Sequence, residues 1–148
     1  ALASVNTHDM PPAAGYLEYG HVKLREQLGL LSGPVEEFQK SATAEHNAML
    51  NMLVEEGYLD KAALDDEAAN ENEIIDALYR GLKGSPCKLM AASIVDAVGE
   101  KRTQNQPGTN NEYPNWRIPL ADGEGNVVPL EKLFDEPRLQ EITAIMRG

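Results

Sequence analysis

Two loop-type runs concentrate the polar chemistry of this chain. The first is Asn6-Thr7-His8-Asp9-Met10-Pro11-Pro12, and the second, from Gln104 to Gly125, reads QNQPGTNNEYPNWRIPLADGEG. In the first, an apolar extended segment precedes His8-Asp9, and the proline pair blocks a helix directly after it. A carboxylate in that place is either a ligand-facing acceptor at a strand end or an ordinary turn or cap residue. In the second, Pro107-Gly108 fixes a rigid turn, while Asn105, Thr109, Asn115 and Trp116 present amide, hydroxyl and aromatic groups. Aromatic faces pack on sugar C–H surfaces and amides bind vicinal hydroxyls. An ordered loop around one buried Trp accounts for the same residues.

Other chemistries find less support. His21 and His46 lie on predicted helices with no His, Cys or carboxylate at ligand spacing, so no metal site is expected. There is no Gly-rich phosphate loop and no nucleophilic serine context, and no cofactor is expected. Cys87 is the only cysteine. It has no internal disulfide partner, which fits a reducing compartment, and it reads as a small buried hydrophobe at a strand start. The formal charge of −11 repels phosphate backbones and anionic lipid, which argues against nucleic-acid and membrane partners and leaves a neutral partner such as a sugar compatible.

With 148 residues, 42% hydrophobic and 25% charged, the composition is that of one soluble globular domain. No apolar run approaches the roughly 20 residues of a membrane span. No signal-peptide pattern is present, and a cytoplasmic location is expected. The chain opens at Ala1 without an initiator Met, and its first five residues read like the tail of a buried strand, which favours a cut or truncated product.

The elements that must position these loops follow from periodicity. Residues 1–6 read as a strand, and Tyr16–Leu30 as a helix that ends at Gly29 and Ser32-Gly33-Pro34. Pro34 opens a helix to Glu56, with Val35, Phe38, Ala42, Met49 and Leu53 on one face and Gly57 as its stop. Asp60 caps a short helix through Ala69, and Asn72 caps another over Glu73–Leu82 whose apolar side is Ile74, Ile75, Leu78 and Leu82. Lys88–Ser93 reads as a buried strand, with a helix not separable by pattern alone. A short helix over Ser93–Val98 follows, then the long polar loop and a brief extended segment over Ile118–Ala121. Asp122–Gly125 is a turn, Val127–Phe134 a short helix or turn, and Pro137–Arg147 a closing helix. The fold class is mostly α with two short parallel strands. Two strands joined by a long helical crossover suit neighbours in an α/β barrel, yet two strands close no barrel. Either the fold is mostly helical or further strands lie outside this sequence.

Taken in order, Asn6-Thr7-His8-Asp9 with Pro, Gly15 and Tyr16, then Asn105-x-Pro107-Gly108-Thr109 and Tyr113-Pro114-Asn115-Trp116-Arg117, resemble the C-terminal part of a bacterial 4-alpha-glucanotransferase (amylomaltase, alpha-amylase clan). The resemblance runs through nearly the whole chain and implies the C-terminal portion of a (β/α)8 barrel, incomplete as given. It divides the chain into a strand end and catalytic loop (1–16), a helical crossover (17–84), the last strand with a short helix and substrate loop (85–121), and a C-terminal turn and helix (122–148).

The resemblance further implies a retaining transfer on an α-1,4-glucan. Asp9 would be the transition-state stabiliser and His8 a donor to a sugar hydroxyl. Asn105 and Pro107 would lie on the ligand side, and Trp116 and Arg117 would anchor the loop. Hydrogen bonds that strengthen as the ring flattens toward an oxocarbenium ion fit an ionised carboxylate. The family's nucleophile, in Arg-x-Asp, and its acid/base, in Glu-Asp-Leu-Gly, have no match here; Glu36-Glu37, Glu55-Glu56 and Asp65-Asp66-Glu67 fit neither context. Both are expected upstream of Ala1, so the isolated chain is expected to be inactive, with the rest of the parent barrel or a second copy as partner. The competing class is a non-enzymatic helical interaction or glucan-binding module.

Overall fold

A computed structural model describes residues 1–147; Gly148, the end of the expected C-terminal segment, lies outside the described residues. Two short strands, β1 (Leu2–Ser4) and β2 (Leu89–Ala91), pair in parallel with Leu2 opposite Leu89 and Ala3 opposite Met90. Both are shorter than the expected 1–6 and 88–93. Leu2 and Leu89 stay 67% and 64% exposed, so these strands are apolar without being covered.

Where one helix is expected over Tyr16–Leu30, the chain makes two, α1 (Ala13–Leu17) and α2 (Gly20–Gln27). The break is Tyr19, at φ 59 in the left-handed region. That conformation is costly for a bulky residue and persists only where packing over-determines it. Here the Tyr19 ring stacks on His46, with centroids 5.0 Å apart. Helix α3 (Val35–Glu55) is nearly as expected. The expected helix from Asp60 to Ala69 tightens to a 3-10 segment over Lys61–Asp65, with Asp60 accepting from the Ala62 N–H at 2.9 Å. Helix α4 (Glu71–Gly84) starts two residues before the expected Glu73 and follows Asn70 rather than Asn72. Short α5 (Ile94–Ala97) and α6 (Leu130–Leu133) precede the closing α7 (Pro137–Arg147). The turn at Asp122–Gly125 brings Ala121 opposite Val127 in an antiparallel bridge.

Helix α4 is the spine. Ile75 and Tyr79 pack with Ala13, Ala14, Ala97 and Ile142, while Ile74 and Ala77 pack with Leu50, Leu53, Leu59 and Ala63. It therefore carries two apolar faces, one toward α1, α5 and α7 and one toward α3. Arg138 of α7 grips Asp76 of α4 with both guanidinium nitrogens, at 3.1 and 2.8 Å.

Helix α1 in turn seats the segment after α5. Gly15 lies against the Lys101 backbone carbonyl so closely that any Cβ would overlap it. A backbone carbonyl yields less readily than a side-chain tip. Gly15→Ala is therefore expected to lower stability by about 1–3 kcal/mol, read as a fall in the urea midpoint. An unchanged midpoint would show that the two segments are not packed this tightly.

Candidate active site

The chain leaves β1 into a loop over residues 6–13, and both ends of that loop are fixed by one buried carboxylate. Asp96, on α5 and 2% exposed, accepts the Asn6 side-chain amide at 2.9 Å on Oδ1 and 2.8 Å on Oδ2. Its Oδ1 also accepts the Ala13 backbone N–H at 2.7 Å, and its Oδ2 the Tyr79 hydroxyl at 2.7 Å. The Ser93 N–H donates to the Tyr79 oxygen at 3.0 Å, which leaves the phenol proton directed at Asp96. Burial pushes the Asp96 carboxyl above the ordinary aspartate range, partly opposed by Tyr79, Ala13 and Asn6. The Tyr79 phenol is pushed up by burial first and then by the Asp96 charge.

His8 and Asp9 sit at the exposed crown of this loop. The Thr7 carbonyl accepts the Met10 N–H at 3.0 Å, closing a tight turn around them. The loop after α5 meets that turn. The His8 carbonyl accepts the Asn105 N–H at 3.2 Å, and the Asn105 side-chain amide donates to Asp9 Oδ1 at 2.6 Å. His8 Nε2 lies 3.4 Å from the same oxygen. Among the described residues Asp9 Oδ2 accepts no hydrogen bond, while Oδ1 is oriented by Asn105.

The second loop is held from within. Asn115 accepts the Gln106 N–H at 2.7 Å and donates to Thr109 Oγ1 at 2.8 Å, and Thr109 donates to the Gln106 carbonyl at 2.7 Å. Tyr113 donates to the Thr103 carbonyl at 2.6 Å. Gly108, at φ 87, makes the turn that Pro107 begins. Trp116 enters the left-handed region at φ 60 while its N–H bonds to the Gln104 carbonyl at 2.9 Å. Its backbone is thus anchored, but the residue is 63% exposed, against the reading of a loop around a buried Trp, and its ring stands 5.0 Å from the His8 ring. Arg117 donates its N–H to Pro114 at 3.0 Å and keeps its side chain in the open, as does Pro107.

Between these loops and the C-terminal ends of β1 and β2 lies a cleft of about 270 Å³, lined by Asn6, Thr7, His8, Ser93, Gln104 and Trp116 among others. Asp9, Asn105 and Pro107 do not line it. Of the site residues singled out by sequence, His8 and Trp116 line the cleft, Asp9 and Asn105 adjoin it through their contacts with His8 and with each other, and Pro107 and Arg117 are not among its lining residues. Sequence reasoning missed Asp96, Tyr79 and Gln104. The signal available for Asp96 was a lone carboxylate inside the apolar run Ile94-Val95-Asp96-Ala97-Val98.

A second buried carboxylate braces the far end of the loop. Glu100, 1% exposed, accepts the Lys101, Arg102 and Ala121 backbone N–H groups at 3.0, 2.9 and 3.1 Å and a bidentate Arg102 guanidinium at 2.9 and 2.7 Å. Burial alone raises its pKa, but Arg102 and these N–H groups outweigh that and hold it below the ordinary glutamate range.

Elsewhere, His46 is buried with its Nε2 2.6 Å from Glu67, a partner that sequence spacing did not suggest. Cys87 is half-buried rather than buried. No helix of the described residues is long and apolar enough to cross a membrane.

A family model described as 4-alpha-glucanotransferase matches residues 1–123, a stretch that includes both strands, the first loop and the second as far as Gly123. The chain belongs to the 4-alpha-glucanotransferase family. It is 46% identical over 147 residues to the 4-alpha-glucanotransferase of Mycobacterium tuberculosis, covering 99% of this chain and 20% of that protein. To the 4-alpha-glucanotransferase of Haemophilus influenzae it is 27% identical, covering 95% and 20%. The crystal structure of amylomaltase from Corynebacterium glutamicum superposes with a TM-score of 0.86 at 36% identity, over 99% of this chain and 21% of that one. The chain thus spans about a fifth of the length of the relatives it matches.

The Glu100 brace has a pH signature. Its folded-state pKa lies below the ordinary value, so its stabilisation is complete above the ordinary glutamate range and is lost as pH falls through the folded value. Glu100→Gln is expected to lower stability at pH 7 by about 1–3 kcal/mol and to flatten the loss of stability in acid. Urea midpoints across pH 3–7 would check this, and parallel curves for both proteins would refute it.

Proposed function

We propose that this chain is the C-terminal part of the catalytic barrel of a retaining 4-alpha-glucanotransferase, acting on α-1,4-glucans such as maltooligosaccharides. The observation that carries the reading is Asp9 in the loop that leaves the C-terminal end of β1, with one carboxylate oxygen held by Asn105 and the side chain half exposed. That is where barrel enzymes place their chemistry. The parallel pairing of two apolar, uncovered strands supports neighbours from further strands of the same barrel.

In this reading Asp9 accepts hydroxyl hydrogen bonds that strengthen as the ring flattens toward the oxocarbenium ion, which lowers the barrier by several kcal/mol. His8 donates to a hydroxyl of the same sugar. Asn105 keeps Asp9 oriented so that little reorganisation is needed as charge develops. The exposed Pro107 turn borders the acceptor side, where bound sugar excludes water and favours transfer over hydrolysis. The backbone bonds of Trp116 and Arg117 anchor the loop. The nucleophilic Asp and the acid/base Glu, which retaining transfer needs about 5–5.5 Å apart, come from the remainder of the enzyme. The reaction calls for no cofactor, and the enzyme is placed in the cytoplasm.

Glucose release from maltotriose tests the assignment. The complete transferase carrying this segment should release glucose, and Asp9→Asn should lower kcat by about 10²-fold or more with a smaller effect on KM. The 148-residue chain alone should release none. Release by the chain alone that is lost in Asp9→Asn would mean that acid groups within it supply the missing roles. A complete enzyme indifferent to Asp9→Asn would remove Asp9 from the mechanism.

A further inference from the structure

We propose that Asp96 is a positioning residue for the transfer reaction: its buried carboxylate staples together the two ends of the loop over residues 6–13 and thereby fixes where Asp9 stands. The inference rests on the role given to Asp9 above and adds the residue through which the fold controls it.

The geometry is specific. Asp96 Oδ1 accepts from both Asn6 and Ala13, at 2.9 and 2.7 Å, so one atom ties the first and last residues of the loop. Oδ2 accepts from Asn6 and Tyr79, at 2.8 and 2.7 Å. All four contacts come from donors, which suits an ionised carboxylate and no neutral side chain of the same shape. Tyr79 of α4 is fully buried, packed with Ala13, Ala14, Ile75, Ala97 and Ile142. The staple therefore references the loop to the largest fully buried side chain of the described residues. Loop length amplifies the point: small rotations at residues 6 and 13 displace the crown, where His8 and Asp9 sit. Asp96 is not among the residues lining the cleft and does not bond to Asp9, so its direct hold on the site is the loop it staples.

Replacement by Asn keeps the shape but places an NH2 group where Asn6 or Tyr79 needs an acceptor. One buried donor is then left unpaired. The double-mutant cycle with Asp9 separates positioning from mere stability. In the complete transferase with maltotriose as substrate, Asp96→Asn is expected to lower kcat by about 10²-fold, with KM changed only a few-fold. In an Asp9→Asn background the same substitution should cost almost nothing further, because its effect is routed through Asp9.

Tyr79→Phe keeps the ring in the core and removes one bond to Asp96. It should show a smaller loss of kcat with the same dependence on Asp9, and it serves where Asp96→Asn does not fold. Losses that multiply with Asp9→Asn, or an unchanged kcat in either variant while circular dichroism shows the native fold, overturn the positioning role and leave the Asp9 assignment standing. An Asp9→Asn enzyme of full activity overturns both.

Discussion

The arrangement depends on a carboxylate that never meets solvent. Asp96 sits 2% exposed in an apolar setting, where an uncompensated charge would cost several kcal/mol. The fold compensates it with donors from three directions: the strand end at Asn6, the start of α1 at Ala13 and the α4 phenol at Tyr79. Meeting that one electrostatic demand forces β1, α1, α4 and α5 into a single relative placement. The apolar core around Ile75 and Ile142 supplies the bulk of the packing, but packing alone tolerates small shifts. A buried polar network does not, because a shifted donor leaves an unpaired charge.

Glu100 repeats the device with different partners. Its oxygens take backbone N–H groups and Arg102, so it organises main chain rather than joining elements. The two carboxylates bracket Gly99, and between them they govern the loops on either side of the cleft. Asn105 links those loops directly through its backbone bond to His8 and its side-chain bond to Asp9. The polar groups of the site are therefore oriented by protein rather than by ligand.

Much of this was legible from residue order, for identifiable reasons. Helices α3, α4 and α7 follow from apolar spacing, because each buries its apolar positions against neighbours, α4 on two faces. His8-Asp9 and the Pro107–Trp116 loop stood out because prolines and glycines isolate polar groups there. What pattern could not supply is tertiary. The break at Tyr19 depends on a stacking partner, His46, supplied by α3. Asp96 looks like an ordinary helix-start acid until its neighbours are in place. The strands came out shorter than their apolar runs because pairing, not composition, decides where a ladder ends. Trp116 has an anchored backbone and an open ring, a combination that neither reading of that loop distinguished.

The parallel pairing of β1 with β2 has a consequence for how the chain reaches this state. Asn6 and Asp96 lie 90 positions apart, and Asp9 and Asn105 lie 96 apart. Helices α3 and α4 can form from local contacts, whereas the bonds of Asn6 to Asp96 and of Asn105 to Asp9 close a loop around them. Such long closures are entropically expensive and slow. The two bonds that join the site loops across the chain therefore depend on the folding of the whole crossover between them.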